Sequence, residues 1–258
     1  MTGLFSRGPT FNLLAKPAYG GALVEIDHVP WARNLSDVLS RREETYHHVK
    51  AAGDGEGLSI HELAKKLPPD AEELMRYDWH PRWSALDHFL HPATAAQDFR
   101  AASYREQGDF VDQPYAASVD GGRLLLERRG GVWVDDRRLE LAVRKWVVAE
   151  SRTLRVDYEL ENLSGEPLAL TFGSEWNLLA FPGEADFTDP LRTVLYGGRL
   201  VFEPESPREM WTFALRTLSQ SEEGFDIIHQ GYCLMPVWGL ELAARGAGRF
   251  GIALKEQK

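Results

Sequence analysis

Between residues 153 and 161 the chain alternates apolar and polar side chains without a break. Leu154, Val156, Tyr158 and Leu160 fall on one side, and Arg155, Asp157, Glu159 and Glu161 on the other. Neighbouring strand side chains point to opposite faces, so this segment reads as a strand with one dry face and one wet face. Leu168, Leu170 and Phe172 resume the pattern after a Ser-Gly turn. Further strands are predicted over residues 137–149, 210–218, 233–242 and 249–254, and a short one over residues 20–27. Asp120-Gly121-Gly122 is a hairpin turn signal leading into the apolar run Leu124 to Leu126. Many strands with antiparallel patterning predict a mainly β fold, a large antiparallel two-sheet β-sandwich. No strand–helix–strand alternation points to a barrel or a dinucleotide-binding fold.

The first part of the chain patterns differently. Asn34 stands where a helix N-cap would, and Leu35, Val38, Leu39, Tyr46 and Val49 follow helical spacing, which predicts a helix from Asn34 to about Ala52. A shorter helix is predicted over residues 59–66, and residues 70–99 read as mixed. In the first helix Arg42 falls near the middle of the apolar stripe, so it needs a carboxylate or several carbonyls as partners. Glu25, Asp27 and Glu175 are the candidates, with Glu43 and His47 one helical turn apart on the flank. Residues 1–19 read as a lead-in segment and 20–258 as a single domain.

Composition narrows the function classes. With 43% hydrophobic and 26% charged residues, the chain has the make-up of a soluble globule. A net charge of -10 repels phosphate backbones and anionic lipid surfaces, so neither nucleic acid nor membrane is an expected partner. A single cysteine, Cys233, in a strand-like apolar context reads as a buried thiol. That cysteine usage and the absence of a signal-like opening make a cytoplasmic protein the expectation.

Candidate chemistry is sparse. His80, His88 and His91 with Asp78 and Asp87 match no metal-ligand spacing, and His61-Glu62 lacks a second histidine, so no metal or other cofactor is expected. With 39 acidic residues, no carboxylate pair stands out as a glycosidase pair. Glu175, in Glu-Trp-Asn near a predicted strand end, is either a site residue or a hydrogen-bonded structural group. Trp31, Trp79, Trp83 and Trp176 lie beside Pro, Arg or Asn, positions that suit either stacking on sugar rings or core packing.

Several segments in order carry a resemblance: Gly-Gly with Glu25 and Asp27, Asn34-Leu35 followed by Arg41, Arg42 and Glu44, then Tyr46-His47, Asp87-His88-Phe89, and Glu175-Trp176-Asn177. From about Gly20 to Leu254 the chain resembles the C-terminal domain of family 57 α-amylases and 4-α-glucanotransferases. The resemblance implies a sandwich of the galactose-mutarotase type, with a few helices near its N-terminal part, packed on an N-terminal (β/α) barrel. It also implies that the catalytic carboxylates belong to that barrel, so no catalytic residue is expected here. The expected role is a noncatalytic domain that supports the barrel of an α-glucan-acting enzyme and contacts glucan. Arg42, Glu43, Tyr46 and His47 are the implied seat for the barrel. The alternatives from fold analogy are an aldose epimerase-like enzyme using His47 and Glu175, or a carbohydrate-binding module.

Overall fold

A computed structural model describes residues 3–45, 47, 71–220 and 225–257. Its strands form three antiparallel sheets rather than the predicted two. The largest has eight strands: β6 (Ala116–Asp120), β7 (Arg123–Val134), β8 (Arg137–Glu150), β9 (Thr153–Asn162), β11 (Ala185–Asp186), β12 (Thr193–Leu195), β13 (Leu200–Pro204) and β16 (Ala247–Glu256). They run in the order β11-β12-β13-β16-β9-β8-β7-β6. A second sheet orders β14 (Glu209–Gln220), β15 (Phe225–Leu242), β10 (Leu168–Leu178) and β5 (Leu86–Leu90). A third joins β1 (Leu4–Arg7), β2 (Phe11–Lys16), β3 (Ala22–His28) and β4 (Arg33–Asn34). Residues 4–16, read as lead-in, thus form two strands, and Phe11 and Leu13 are buried in the main core.

Aromatic contacts join the first two sheets face to face. Tyr158 meets Phe172 with ring centres 5.5 Å apart, Trp176 meets Phe202 at 5.4 Å, and Trp238 stacks on Phe250 at 4.3 Å. The dry face of β9 supplies Leu154, Val156, Tyr158 and Leu160 to this core, as its alternation requires. On the wet face, cross-strand pairing lines up Glu127, Arg144, Glu159 and Arg249 on four adjacent strands. Arg144 donates to Glu127 at 2.9 Å and to Glu159 at 2.7 Å, and Arg249 donates to Glu159 at 2.6 Å. Opposite charges directly across a ladder stabilise it. The β6–β7 hairpin turns through Gly121 and Gly122, both at positive φ (54° and 79°), the conformation that a two-residue hairpin loop demands.

The helix predicted from Asn34 does not form over the described residues. Asn34 ends β4, and residues 35–44 run without regular secondary structure. Asn34 still caps locally, its Oδ1 accepting the Ser36 N–H at 2.8 Å. The groups that follow are claimed by other segments: the Leu35 N–H donates to the Ile26 carbonyl at 2.7 Å, and the Ile26 N–H donates to Ser36 Oγ at 2.9 Å. Tertiary partners override a weak helical preference here. Residues 48–52, the helix predicted over 59–66 and Tyr46 lie outside the described residues. The described helices are short, α1 (Ala71–Leu74), α2 (Ala96–Arg100) and a 3-10 turn at Val29–Trp31. None is long and apolar enough to cross a membrane.

One buried ion pair ties all three sheets together. Lys145 points from β8 into the core, fully buried. Its ammonium contacts the Gly20 carbonyl at 2.9 Å, the Ala85 carbonyl at 2.8 Å and Asp87 Oδ2 at 3.0 Å. Tyr115 donates its hydroxyl to the same Asp87 oxygen at 2.6 Å. Burial pushes the Lys145 pKa down and the Tyr115 phenol well up, while Asp87 favours the ammonium. Removing one partner of such a pair strands the other. Lys145→Met should therefore lower the unfolding free energy by about 3–5 kcal/mol, and adding Asp87→Asn should recover part of that loss in urea titrations.

Candidate functional site

Among the described residues, the densest polar cluster lies on the outer face of the second sheet, on β5 and β10. In the β5–β10 register His88 faces Gly173 and Glu175 faces Leu86, so His88 and Glu175 are diagonal neighbours on one face. Phe172 and Trp176, on alternate positions of β10, point the other way into the core. A loop carrying Asp78, His80 and Arg82 covers this face, and Arg41 reaches it from the segment after β4. The Arg41 N–H donates to Asp78 Oδ2 at 2.8 Å, the Asp78 N–H donates to the Arg41 carbonyl at 3.0 Å, and the Arg82 N–H donates to Ser40 Oγ at 2.8 Å.

Glu175 is the centre. Its Oε1 accepts from Arg82 Nη1 at 2.8 Å and from Asn177 Nδ2 at 2.7 Å. Its Oε2 lies 2.7 Å from His80 Nε2 and 2.9 Å from His88 Nε2. Arg82 also bonds Asp78 at 2.6 Å, where Arg41 completes the pairing. His88 Nδ1 meets Glu106 Oε2 at 2.8 Å, so both its ring nitrogens face carboxylates and both must carry protons. Arg41, Arg82 and the His88 imidazolium thus balance Asp78, Glu106 and Glu175.

Burial and partners set the protonation states. Desolvation alone would raise the Glu175 carboxyl, but the Arg82 charge and the imidazole hydrogen bonds hold it well below the usual range. Burial opposes charge on His88, yet its bonds to Glu106 and Glu175 lift its pKa to about 9. For His80 burial prevails over Glu175 and pushes the pKa down, which keeps the ring neutral. Its Nδ1 has no hydrogen-bond partner among the described residues.

Among the described residues, His80, His88 and Glu175 form the group whose ligand atoms could gather round a metal, all lying within 4.8 Å of one another. The donor set does not fit one as it stands. Both Nε2–H groups already donate to the carboxylate, and a guanidinium occupies its other oxygen. Nor can Glu175 act on a substrate, since its side chain is fully buried and each oxygen already accepts twice. The site is an ionic clamp.

The residues singled out by sequence are dispersed. The buried arginine is Arg41, not Arg42, which is exposed because the segment is extended rather than helical; neither pairs with Glu175, whose guanidinium comes from Arg82. Glu43 is exposed, and His47 stacks on Tyr77 with ring centres 5.6 Å apart instead of meeting Glu175. Trp176 is fully buried, its Nε1 donating to Ser174 Oγ at 3.0 Å, so it offers no surface for a sugar. Trp83 packs edge-on against Tyr19 beneath the Lys16 ammonium. Trp79 is 47% exposed and bonds Tyr104 from above His80, and Trp31 is half-buried against His28. Cys233 is buried, its thiol pKa pushed well up by burial. Arg82 and Glu106, which complete the clamp, carry no periodic signal; the one hint in the sequence is the position of Glu175 near a predicted strand end.

Among the described residues, the principal polar cluster of this mainly β sandwich is sealed from solvent. Residues 4–251 match the family described as "Alpha-amylase/4-alpha-glucanotransferase, C-terminal", and the chain belongs to that family. It is 36% identical to a 4-alpha-glucanotransferase of Thermococcus kodakarensis, over 98% of this chain and 39% of that protein. It is 33% identical to an alpha-amylase of Pyrococcus furiosus, over 86% of this chain and 33% of that one. The crystal structure of the Thermococcus litoralis 4-alpha-glucanotransferase superposes with a TM-score of 0.81 at 26% identity, covering 99% of this chain and 37% of that one. The chain therefore corresponds to the C-terminal domain of these larger enzymes and spans under two fifths of their length.

The clamp gives stability a pH signature. His88, raised from 6.5 to about 9, adds stability that is fully present below pH 6.5 and lost as pH rises through 9. That shift corresponds to about 3 kcal/mol. His80, shifted down, acts in the opposite sense, and its contribution is lost as pH falls below 6.5. Urea midpoints should peak near pH 6.5, and His88→Gln should flatten the alkaline limb between pH 6.5 and 9.

Proposed function

We propose that this chain serves as the noncatalytic C-terminal domain of an α-glucan-acting glycoside hydrolase or transglycosidase, supporting a catalytic barrel. The observation that carries the reading is the match over almost the whole chain to the C-terminal part of relatives more than twice as long. The sealed state of the Glu175 clamp supports it, because a glycosidase needs two carboxylates facing the bond. A groove of about 380 Å³ supports a seat for the barrel. It is lined by Leu39, Arg42, Glu44, His47, Leu218 and Ile228, with Leu39 59% and Ile228 43% exposed. Apolar side chains rimmed by charges suit an interdomain surface.

The reading predicts that the purified chain neither hydrolyses nor disproportionates maltoheptaose, as followed by chromatography of the products. Turnover by wild type that disappears in a Glu175→Gln variant, itself shown to be folded by circular dichroism, would overturn it. Accelerated mutarotation of glucose would instead favour an epimerase.

A further inference from the structure

We propose that the open cleft between the 3-10 turn after β3 and the β12–β13 turn is a binding subsite for a neutral α-glucan chain. This rests on the glucan reading above and gives it a place. The cleft has a volume of about 560 Å³ and is bordered by Trp31, Arg33, Glu184, Tyr196 and Arg199. None of these residues belongs to the Glu175 clamp or to the groove beside Leu39.

The lining is fixed before any ligand arrives. The Arg33 guanidinium lies 4.6 Å from the Tyr196 ring centre and 5.5 Å from that of Phe181. It pairs with Glu184 at 3.5 Å, and Glu184 also accepts the Phe181 N–H at 2.8 Å. Tyr196 donates its hydroxyl to the Leu179 carbonyl. Trp31 rests on the buried His28 ring at 3.8 Å and meets Tyr196 edge-on at 5.4 Å, and the Arg199 guanidinium stands 5.8 Å from its ring. Side chains held this way lose little freedom when a ligand docks.

The mixture of groups selects the ligand class. Glu184 accepts hydrogen bonds, Arg33 and Arg199 donate them, and the Trp31 ring offers apolar surface. A sugar ring uses all three, since its hydroxyls both donate and accept and its C–H face is apolar. An anion would meet the Glu184 carboxylate and a chain of net charge -10, and a cation would meet two guanidiniums. Two glycines keep the rim low: Gly183 and Gly197 sit at φ +87° and +63°, with nothing within 4 Å of where a Cβ would stand. A chain of sugar rings can cross there unobstructed. The relatives that share this domain are named for chemistry on α-glucans.

The test is titration of the purified chain with maltoheptaose, followed by calorimetry and tryptophan fluorescence, with cellohexaose and inorganic phosphate as comparison probes. Saturable binding of maltoheptaose, tighter than that of cellohexaose and insensitive to added NaCl, is the expected result. Trp31→Ala and Glu184→Ala should each weaken it at least about tenfold. Because Trp31 packs on the buried His28, the more exposed Glu184→Ala and Arg199→Ala variants carry the test independently. No saturable binding, or binding that survives Glu184→Ala and Arg199→Ala unchanged, overturns the proposal. Equal affinity for cellohexaose, or binding that salt abolishes or phosphate displaces, overturns it as well. The accessory-domain reading is judged by turnover, so a flat titration leaves it standing.

Discussion

A carboxylate removed from water must have its hydration replaced, and Glu175 obtains that replacement from four donors. Arg82, Asn177, His80 and His88 each supply one, and they come from a covering loop and from two paired strands. Because an unpaired buried charge is strongly unfavourable, none of these segments can shift without exposing the charge or leaving it stranded. Arg41 extends the constraint through Asp78 to the stretch after β4. The irregular path of residues 35–44, which a helical reading would not give, follows from that requirement.

The five residues of β5 serve two ionic systems at once. Asp87 and His88 are neighbours, so on a strand their side chains point to opposite faces. Asp87 faces the interior of the sandwich and holds Lys145, while His88 faces outward and joins Glu175 to Glu106. All five residues of the strand are buried. The second sheet is thus tied on its inner face to the large sheet and on its outer face to the covering loop, by charges that each have a defined partner. Apolar packing alone would tolerate small slippage between these layers, whereas paired charges fix their positions.

Much of the fold was legible because alternation is a local property. The dry and wet faces of β9, the Asp120-Gly121-Gly122 turn and the long strands β8, β14 and β15 all follow from neighbouring residues. The short strands β11 and β12 were too brief to show a period, and β5 is buried on both faces and shows none. The clamp was only half visible. Glu175 stood out as an acidic residue near a predicted strand end, but its partners lie 87 to 95 residues away for His88, Arg82 and His80, a distance that spacing rules do not bridge. The reading of Arg42 as the buried arginine failed for a related reason. It assumed a period of 3.6, and in an extended segment the buried position moves to Arg41.

The separation in sequence that hides the clamp also governs when it can form. Residues 41, 78–82, 88, 106 and 175–177 come together only after β5 has found β10, which closes a long loop. Contacts of that range are reached late, once local hairpins such as β7–β8 and β8–β9 are in place. Interactions absent from the transition state act on the rate of unfolding rather than on the rate of folding. The clamp is therefore expected to work as a latch: weakening it should steepen the loss of the folded chain over time while hardly altering how fast the chain folds, a difference that the two arms of a chevron plot separate.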